Sequence, residues 1–297
     1  VDSFYKIFEI PKKSGGTRKI CAPTGDLKQI QKKLYSILLH HQQFLRKQNN
    51  IRTNISHAFE KGKSIITNGE VHRNKRIVVN IDLQDFFDSF HFGRVCGFFE
   101  KNRDFALPHE MAIVMAQLTC YQGKLPQGAP TSPIITNYIC QIFDMRILKI
   151  AKKYHLDYTR YADDLSFSTN DKKFISQWEP FYNELTYEVE RAGFKINTKK
   201  TSVQYKDSRQ TVTGLVINKK LSVDHRYYKQ VRAMANSLYK TGCFDNNGVE
   251  GTVSQLEGKF AFIDQLDKYN NIKDVGQQHS VSVSYTHLRA HETKANL

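Results

Sequence analysis

The chain has 297 residues, 40% of them hydrophobic, enough to bury a sizeable interior as one large core or as two to three subdomains. Lys and Arg total 44 against 29 Asp and Glu, a formal charge of +15, and an excess of that size calls for a polyphosphate partner, because each neutralised phosphate releases counterions. A membrane partner is disfavoured: no apolar run approaches the roughly 18 residues of a spanning helix, and no secretory signal opens the chain. The first residue is Val1, so the natural N-terminus is expected to lie upstream.

Residues 4–23 read as short strands around the turn Ser14-Gly15-Gly16-Thr17, with basic residues on both sides. Leu27, Ile30, Leu34, Ile37 and Leu38 recur at helical spacing, and a polar stretch, 40–54, follows. Residues 63–72 suggest a short helix. The β-branched run 76–83 predicts a buried strand ending at Asp82. Residues 107–120 predict a helix with Pro108 in its first turn, 123–133 a Gly/Pro loop, and 134–154 a long helix. A hairpin is expected over 158–169 with Ala162-Asp163-Asp164 at its tip, then an amphipathic helix over 174–192 ended by Gly193. Residues 211–217 and 221–223 suggest a second small hairpin, and 227–239 and 253–269 two further helices. This mixed order predicts an α+β protein with an antiparallel sheet.

The cysteines, Cys21, Cys96, Cys120, Cys140 and Cys243, are odd in number and form no CxxC pair. They read as ordinary small apolar side chains in a reducing cytosol, not as a zinc site or a disulfide framework. The acids are more informative. Asp82 closes an apolar strand and Asp163-Asp164 sit together at a hairpin tip. Adjacent acids repel, a cost that bound cations readily offset. Two or three carboxylates close together at the end of a rigid sheet are what two divalent ions, about 3.5–4 Å apart, require for phosphodiester chemistry. Mg²⁺ takes oxygen ligands, few of them from protein.

Tyr161-Ala162-Asp163-Asp164, preceded by Tyr158-Thr159-Arg160, resembles the YxDD box of reverse transcriptases. Ile81-Asp82-Leu83-Gln84-Asp85-Phe86-Phe87 resembles their first catalytic motif, and Leu125-Pro126-Gln127-Gly128-Ala129-Pro130-Thr131-Ser132-Pro133 the LPQG…SP motif between them. The three stand in the family's order, and the resemblance runs from about residue 12 to about residue 270. It implies an RNA-directed DNA polymerase with a right-hand fold of fingers, palm and a partial helical thumb. The implied boundaries are fingers 1–75, palm 76–104, a connection with the LPQG loop 105–133, palm 134–223, and an incomplete thumb 224–281.

Carried over by residue, the resemblance assigns Asp82, Asp163 and Asp164, with the Leu83 carbonyl, to two Mg²⁺ ions, for which Mn²⁺ could substitute in vitro. Asp85 and Phe86 would offer backbone amides to the triphosphate, and Phe87 would lie under the sugar as a gate against a 2′-hydroxyl. Gln127 would pack near the incoming nucleotide, with Gly128 permitting close backbone approach. Arg18 and Lys19 on the first hairpin would neutralise the triphosphate. Lys200, in Asn197-Thr198-Lys199-Lys200-Thr201, would lie near the leaving pyrophosphate.

Two segments resemble the retron branch. Asn68-Gly69-Glu70-Val71-His72 is similar to the retron NAxxH signature, with Gly69 where Ala is usual, and Val212-Thr213-Gly214 to the VTG triplet. The resemblance implies that Asn68, His72, Val212, Thr213 and Gly214 serve recognition of the protein's own structured non-coding RNA. That RNA would be primed from an internal 2′-hydroxyl and copied into branched single-stranded DNA, in a cytoplasmic bacterial defence module with a possible effector protein. Arg226, Lys229, Arg232 and Lys240 on the first thumb helix would meet phosphates of an RNA–DNA hybrid. The rivals are a group II intron or diversity-generating reverse transcriptase, an RNA-binding relative without chemistry, and an RNA-templated RNA polymerase; Phe87 speaks against the last. Residues 282–297 show no periodicity, and Val283 to Thr293 match, over eleven residues, a translated sequencing-library adapter. They are expected to be a non-native tail, with no function for His287 or His291.

Overall fold

The structure, a computed structural model, describes residues 2–11, 15–48 and 55–274. The expected tail, 282–297, lies outside them. Strands β1 (Tyr5–Pro11) and β2 (Thr17–Pro23) pair antiparallel, with Tyr5 opposite Pro23 and Pro11 opposite Thr17. Gly15 and Gly16 both hold positive φ, 87° and 78°, which a glycine adopts without a Cβ penalty. Helix α1 (Gly25–Gln48) runs on through the stretch expected to leave the helix at residue 40. The misreading has a physical cause: α1 buries Gln31 and Gln42 beside Leu27 and Leu38. Past residue 40, Gln42 Nε2 donates to Glu60 Oε1 at 3.4 Å and Arg46 pairs with the same carboxylate at 2.8 Å, so polar side chains hold this part of the helix in place.

Helix α2 (Ile65–Val71) starts at a reciprocal capping box between Ser64 and Thr67. Strand β3 (Ile77–Asp82) is followed by α3 (Phe92–Lys101) and α4 (His109–Thr119). Propensity does not point to α3, which holds Gly93 and Gly97; its buried Val95, Cys96 and Phe99 form it by packing. Helix α5 (Ser132–Lys153) carries Pro133 near its start, and β4 (Asp157–Tyr161) and β5 (Asp164–Thr169) form the expected hairpin. The expected helix over 174–192 opens as a 3₁₀ segment, Lys172–Gln177, and becomes α6 only over Trp178–Arg191. Strand β6 (Ser202–Tyr205) was not anticipated; four residues on a sheet edge give little pattern to read.

These strands make one antiparallel sheet in the order β4-β5-β3-β6. One face carries Ile77, Val79, Ile81, Leu165 and Phe167 into a single apolar core with Phe143, Ile147, Phe181 and Leu185 of α5 and α6. The small hairpin is tighter than predicted: β7 (Thr211–Val212) pairs with β8 (Leu215–Val216) around Thr213-Gly214, and 221–223 is no part of it. Positive φ at Thr213 (48°) and Gly214 (84°) closes the loop within two residues, so the second arm begins at Leu215 and not at residue 221.

The chain divides into two compact units, Val1–Lys219 and Lys220–Leu297. In the second, α7 (His225–Thr241) and α8 (Val253–Asp274) enclose Val231, Met234, Phe244 and Leu256. The Asn270 side chain is bonded to both backbone groups of Leu221, accepting at 3.3 Å and donating at 2.7 Å.

Candidate active site

The second face of the sheet is polar, and its register places the acids. Asp82 lies opposite Asp164, Asn80 opposite Ser166 and Val78 opposite Ser168; Tyr161 and Thr159 continue the rows on β4. Two-residue periodicity thus brings Asp82 and Asp164 side by side at one end. Asp163 follows Ala162 in the turn between β4 and β5. Ala162 holds φ 57°, which costs a non-glycine residue of order 1 kcal/mol. The turn is braced from two sides: Leu83 N donates to the Asp163 carbonyl at 3.0 Å, and Arg160 Nη1 donates to the Ala162 carbonyl at 3.2 Å.

Segment 195–200 lies against the end of β3. Gln84 N donates to the Lys195 carbonyl, and Asn197 donates to Asp82 twice, from backbone N to the carbonyl and from Nδ2 to Oδ1 at 2.9 Å. Lys200 Nζ reaches Asp82 Oδ2 at 3.0 Å. The lysine expected near a pyrophosphate thus sits on an acid, and the hydrogen bond to Asp82 raises its pKa. The carboxylates of Asp82, Asp163 and Asp164 are not a group whose donor atoms all lie within 4.8 Å of one another. Among the described residues one such group is present: Cys96 and Glu100 on α3 with His109 on α4, the last two already 3.4 Å apart. Spacing could not show it, because the third ligand comes from the next helix.

The acid cluster fits divalent cations by its donor chemistry. Burial first, then Asp163 and Asp82, push Asp164 up to about 7; burial and Asp82 raise Asp163, against Lys200 and Arg18, which lower it. A cationic group, the Lys200 ammonium, already stands on Asp82. A stability signature follows. A carboxyl raised in the folded state stabilises the fold below its unfolded value, here 3.8, and that contribution is lost as pH rises through about 7. In chelator, the unfolding free energy is expected to fall between about pH 4 and pH 7, and Asp164→Asn to flatten that fall, by on the order of 2 kcal/mol at pH 8 after solvent screening. Parallel profiles for wild type and variant would show that Asp164 is not strained.

The remaining predicted residues divide. Phe87 is half-buried, edge-on to Phe86 with ring centroids 5.5 Å apart, while Phe86 itself stacks on Phe194 in the core. Asp85 is exposed at φ 44°. Gln127 and Gly128 meet β2: the Gln127 carbonyl accepts from Cys21 N at 2.8 Å, and a Cβ on Gly128, at φ 112°, would lie 2.7 Å from Ile20 Cγ2. The close approach that Gly128 permits is therefore by the first hairpin, whose Arg18 and Lys19 are exposed. Asn68, His72 and Val212, assigned to RNA contact, are all fully buried, and the bonds of Asn68 and His72 go to protein. That assignment is corrected for their side chains: a polar residue at 0% exposure presents nothing to a partner. Thr213 is half-buried and Gly214 exposed. Arg226, Lys229, Arg232 and Lys240 are exposed on α7 of the second unit.

Sequence reasoning missed Asn80, Asn197 and, above all, Arg160. Arg160 is fully buried and bidentate to Asp144 of α5, Nε to Oδ1 at 2.7 Å and Nη2 to Oδ2 at 2.8 Å. Tyr158 Oη donates to the same Asp144 at 3.1 Å, and Arg160 Nη2 to Asn137 Oδ1 at 3.2 Å.

Residues 10–217 match the family described as reverse transcriptase (RNA-dependent DNA polymerase). The chain is similar to the Retron Ec86 reverse transcriptase of Escherichia coli, 32% identical over 269 residues, covering 90% of this chain and 78% of that protein. It is likewise similar to the Retron Mx65 reverse transcriptase of Myxococcus xanthus, 30% identical over 278 residues, covering 89% of this chain but 61% of that protein. A telomerase structure from Candida albicans in complex with a fragment of telomeric RNA has a TM-score of 0.52 at 14% identity, over 78% of this chain and 50% of that one, a likeness of fold alone.

Proposed function

The chain belongs to the reverse transcriptase family, within it to the retron type, and from that premise we propose that it extends a DNA 3′ end on an RNA template. The observation that carries the reading is the register that sets Asp82 beside Asp164 at one end of the sheet, with Asp163 in the adjoining turn. Asp82, Asp163, Asp164 and the Leu83 carbonyl would hold two Mg²⁺ ions, Mn²⁺ substituting in vitro. Bound there, the ions supply activation of the attacking hydroxyl and charge neutralisation on the phosphates. Lys200 leaves Asp82 and offers its ammonium to the departing pyrophosphate. Arg18 and Lys19 neutralise the triphosphate, Asp85 and Phe86 present backbone amides to it, Gln127 packs near the nucleotide, and Phe87 bars a 2′-hydroxyl.

In this reading residues 1–75 are the fingers, 76–104 and 134–223 the palm, and 224–281 the thumb, whose exposed Arg226, Lys229 and Arg232 meet duplex phosphates. The cognate template is the retron's own non-coding RNA, primed at a 2′-hydroxyl and copied into multicopy single-stranded DNA in the bacterial cytoplasm, in service of phage defence. No described helix is long and apolar enough to cross a membrane.

Primer extension tests this directly. With an RNA template, a DNA primer, deoxynucleotides and Mg²⁺, the purified chain is expected to add nucleotides complementary to the template; no addition in Mg²⁺ or Mn²⁺ defeats the reading. Phe87→Val is expected to raise ribonucleotide incorporation relative to deoxynucleotide by roughly an order of magnitude, because it opens space for one hydroxyl. Unchanged sugar discrimination in single-turnover assays would reduce Phe87 to a packing residue.

A further inference from the structure

The two segments that resemble retron signatures meet inside the protein. Both ring nitrogens of His72 are engaged: Nδ1 lies 2.8 Å from Ser168 Oγ on β5, and Nε2 lies 2.7 Å from Thr159 Oγ1 on β4. The Thr159 hydroxyl donates its single proton to Asn68 Oδ1 at 2.6 Å. It can therefore only accept from His72, so Nε2 carries the hydrogen and Nδ1 accepts from Ser168. That neutral tautomer agrees with the surroundings: burial, with His57 and Lys75 nearby, pushes the ring down to about 3. Asn68 Nδ2 in turn donates to Thr213 Oγ1 at 3.5 Å, a longer link.

Ser168, His72, Thr159, Asn68 and Thr213 thus form one directed chain from β5 through β4 and α2 to the turn between β7 and β8. A second tie runs beside it. Asn80 of β3 accepts from Ser166 Oγ at 3.0 Å and donates to the Thr211 carbonyl at 2.7 Å. The chain grips both arms of the hairpin that bears Asp163 and Asp164, and Thr159 shares the sheet face of Asp82 and Asp164. Every link has a fixed donor and acceptor, so an apolar isostere at any member strands a buried partner.

Resting on the polymerase reading above, we propose that Asn68, His72, Thr159 and Thr213 are positioning residues that hold the Thr213-Gly214 turn and the Asp163-Asp164 hairpin in one register, on every template alike. The buried Asn68 and His72 then act as an internal brace, with Thr213 at its half-buried end. Loss of the brace slows nucleotide addition without weakening nucleic-acid binding.

The test is single-turnover addition by the full chain on two unrelated RNA templates, poly(rA) primed with oligo(dT) and a mixed-sequence RNA primed with DNA. Thr159→Val, which keeps shape, and Asn68→Leu are each expected to lower the maximal rate roughly tenfold or more on both templates. Nucleotide and primer–template affinities should stay within about twofold. The double variant should be no slower than the worse single, because the two remove one chain, and Thr159→Ser, which keeps the hydroxyl, should restore the rate. A wild-type rate in Thr159→Val, additive losses, or a loss confined to one template overturns the inference. If thermal unfolding shows that neither Thr159→Val nor Asn68→Leu folds, Thr213→Val at the half-buried turn carries the same comparison, and an unchanged rate there overturns it. A wild-type chain inert on both templates would instead defeat the polymerase reading itself.

Discussion

Asp163→Asn is expected to abolish DNA synthesis, lowering the single-turnover rate by roughly a thousandfold or more, while primer–template affinity stays within about twofold. The substitution keeps the size of the side chain and removes the charge a cation needs. It should not harm the fold. The Asp163 carboxyl is already raised by burial and by Asp82, so a neutral amide relieves repulsion, and the turn is held through backbone carbonyls that the variant retains, by Leu83 N and Arg160 Nη1. The melting temperature in chelator should therefore be equal or higher. An Asp163→Asn enzyme that extends a primer in Mg²⁺ at near wild-type rate would remove Asp163 from the metal site; an inactive variant that has also lost its melting transition would show a structural role instead.

How much of this was legible in the sequence follows the range of the interactions. Asp82 at the end of an apolar run and the acid pair between two alternating segments are local patterns, and the strand and hairpin they predict are present. Their pairing as neighbours across β3 and β5 could be anticipated through the resemblance, because no pattern in the sequence states which strands are adjacent. Burial of polar side chains was the systematic blind spot. Gln42 hid the length of α1, and α2 buries Asn68 beside Ile66, so a helix read by its apolar residues alone points its signature outward. The residues matched, but the face they occupy was decided by hydroxyls on β4 and β5 that only tertiary structure supplies. Asn197 and Lys200 illustrate the same limit, for the motif was visible and its partner, 118 residues away for Lys200, was not.

Arg160 and Asp144 are the clearest such case, and they carry the largest stability effect expected of this chain. They lie 16 residues apart, one in a strand and one in a helix, and each alone reads as an ordinary surface charge. Together they are buried, with side-chain exposures of 0% and 7%. Asp144→Ala would leave the guanidinium in the core without its counter-charge, since Asn137 Oδ1 and the Ala162 carbonyl are neutral acceptors. Breaking a buried pair from one side costs about 3–5 kcal/mol, a large part of the total for a domain of ordinary stability. Denaturant unfolding should show that loss as a lower midpoint at unchanged slope. Replacing both partners, Arg160→Met with Asp144→Leu, removes both charges and should recover part of the stability, the remaining loss being that of the buried Tyr158 hydroxyl, which no longer has its acceptor. It cannot restore the donor to the Ala162 carbonyl. The double variant is therefore expected to be stable yet slow in nucleotide addition, with the turn before Asp163 braced from the Leu83 side alone. A stable double variant with a wild-type rate would mean that Arg160 serves the fold and not the catalytic turn, and a single Asp144→Ala variant with an unchanged midpoint would mean that the pair is not the buried anchor its geometry describes.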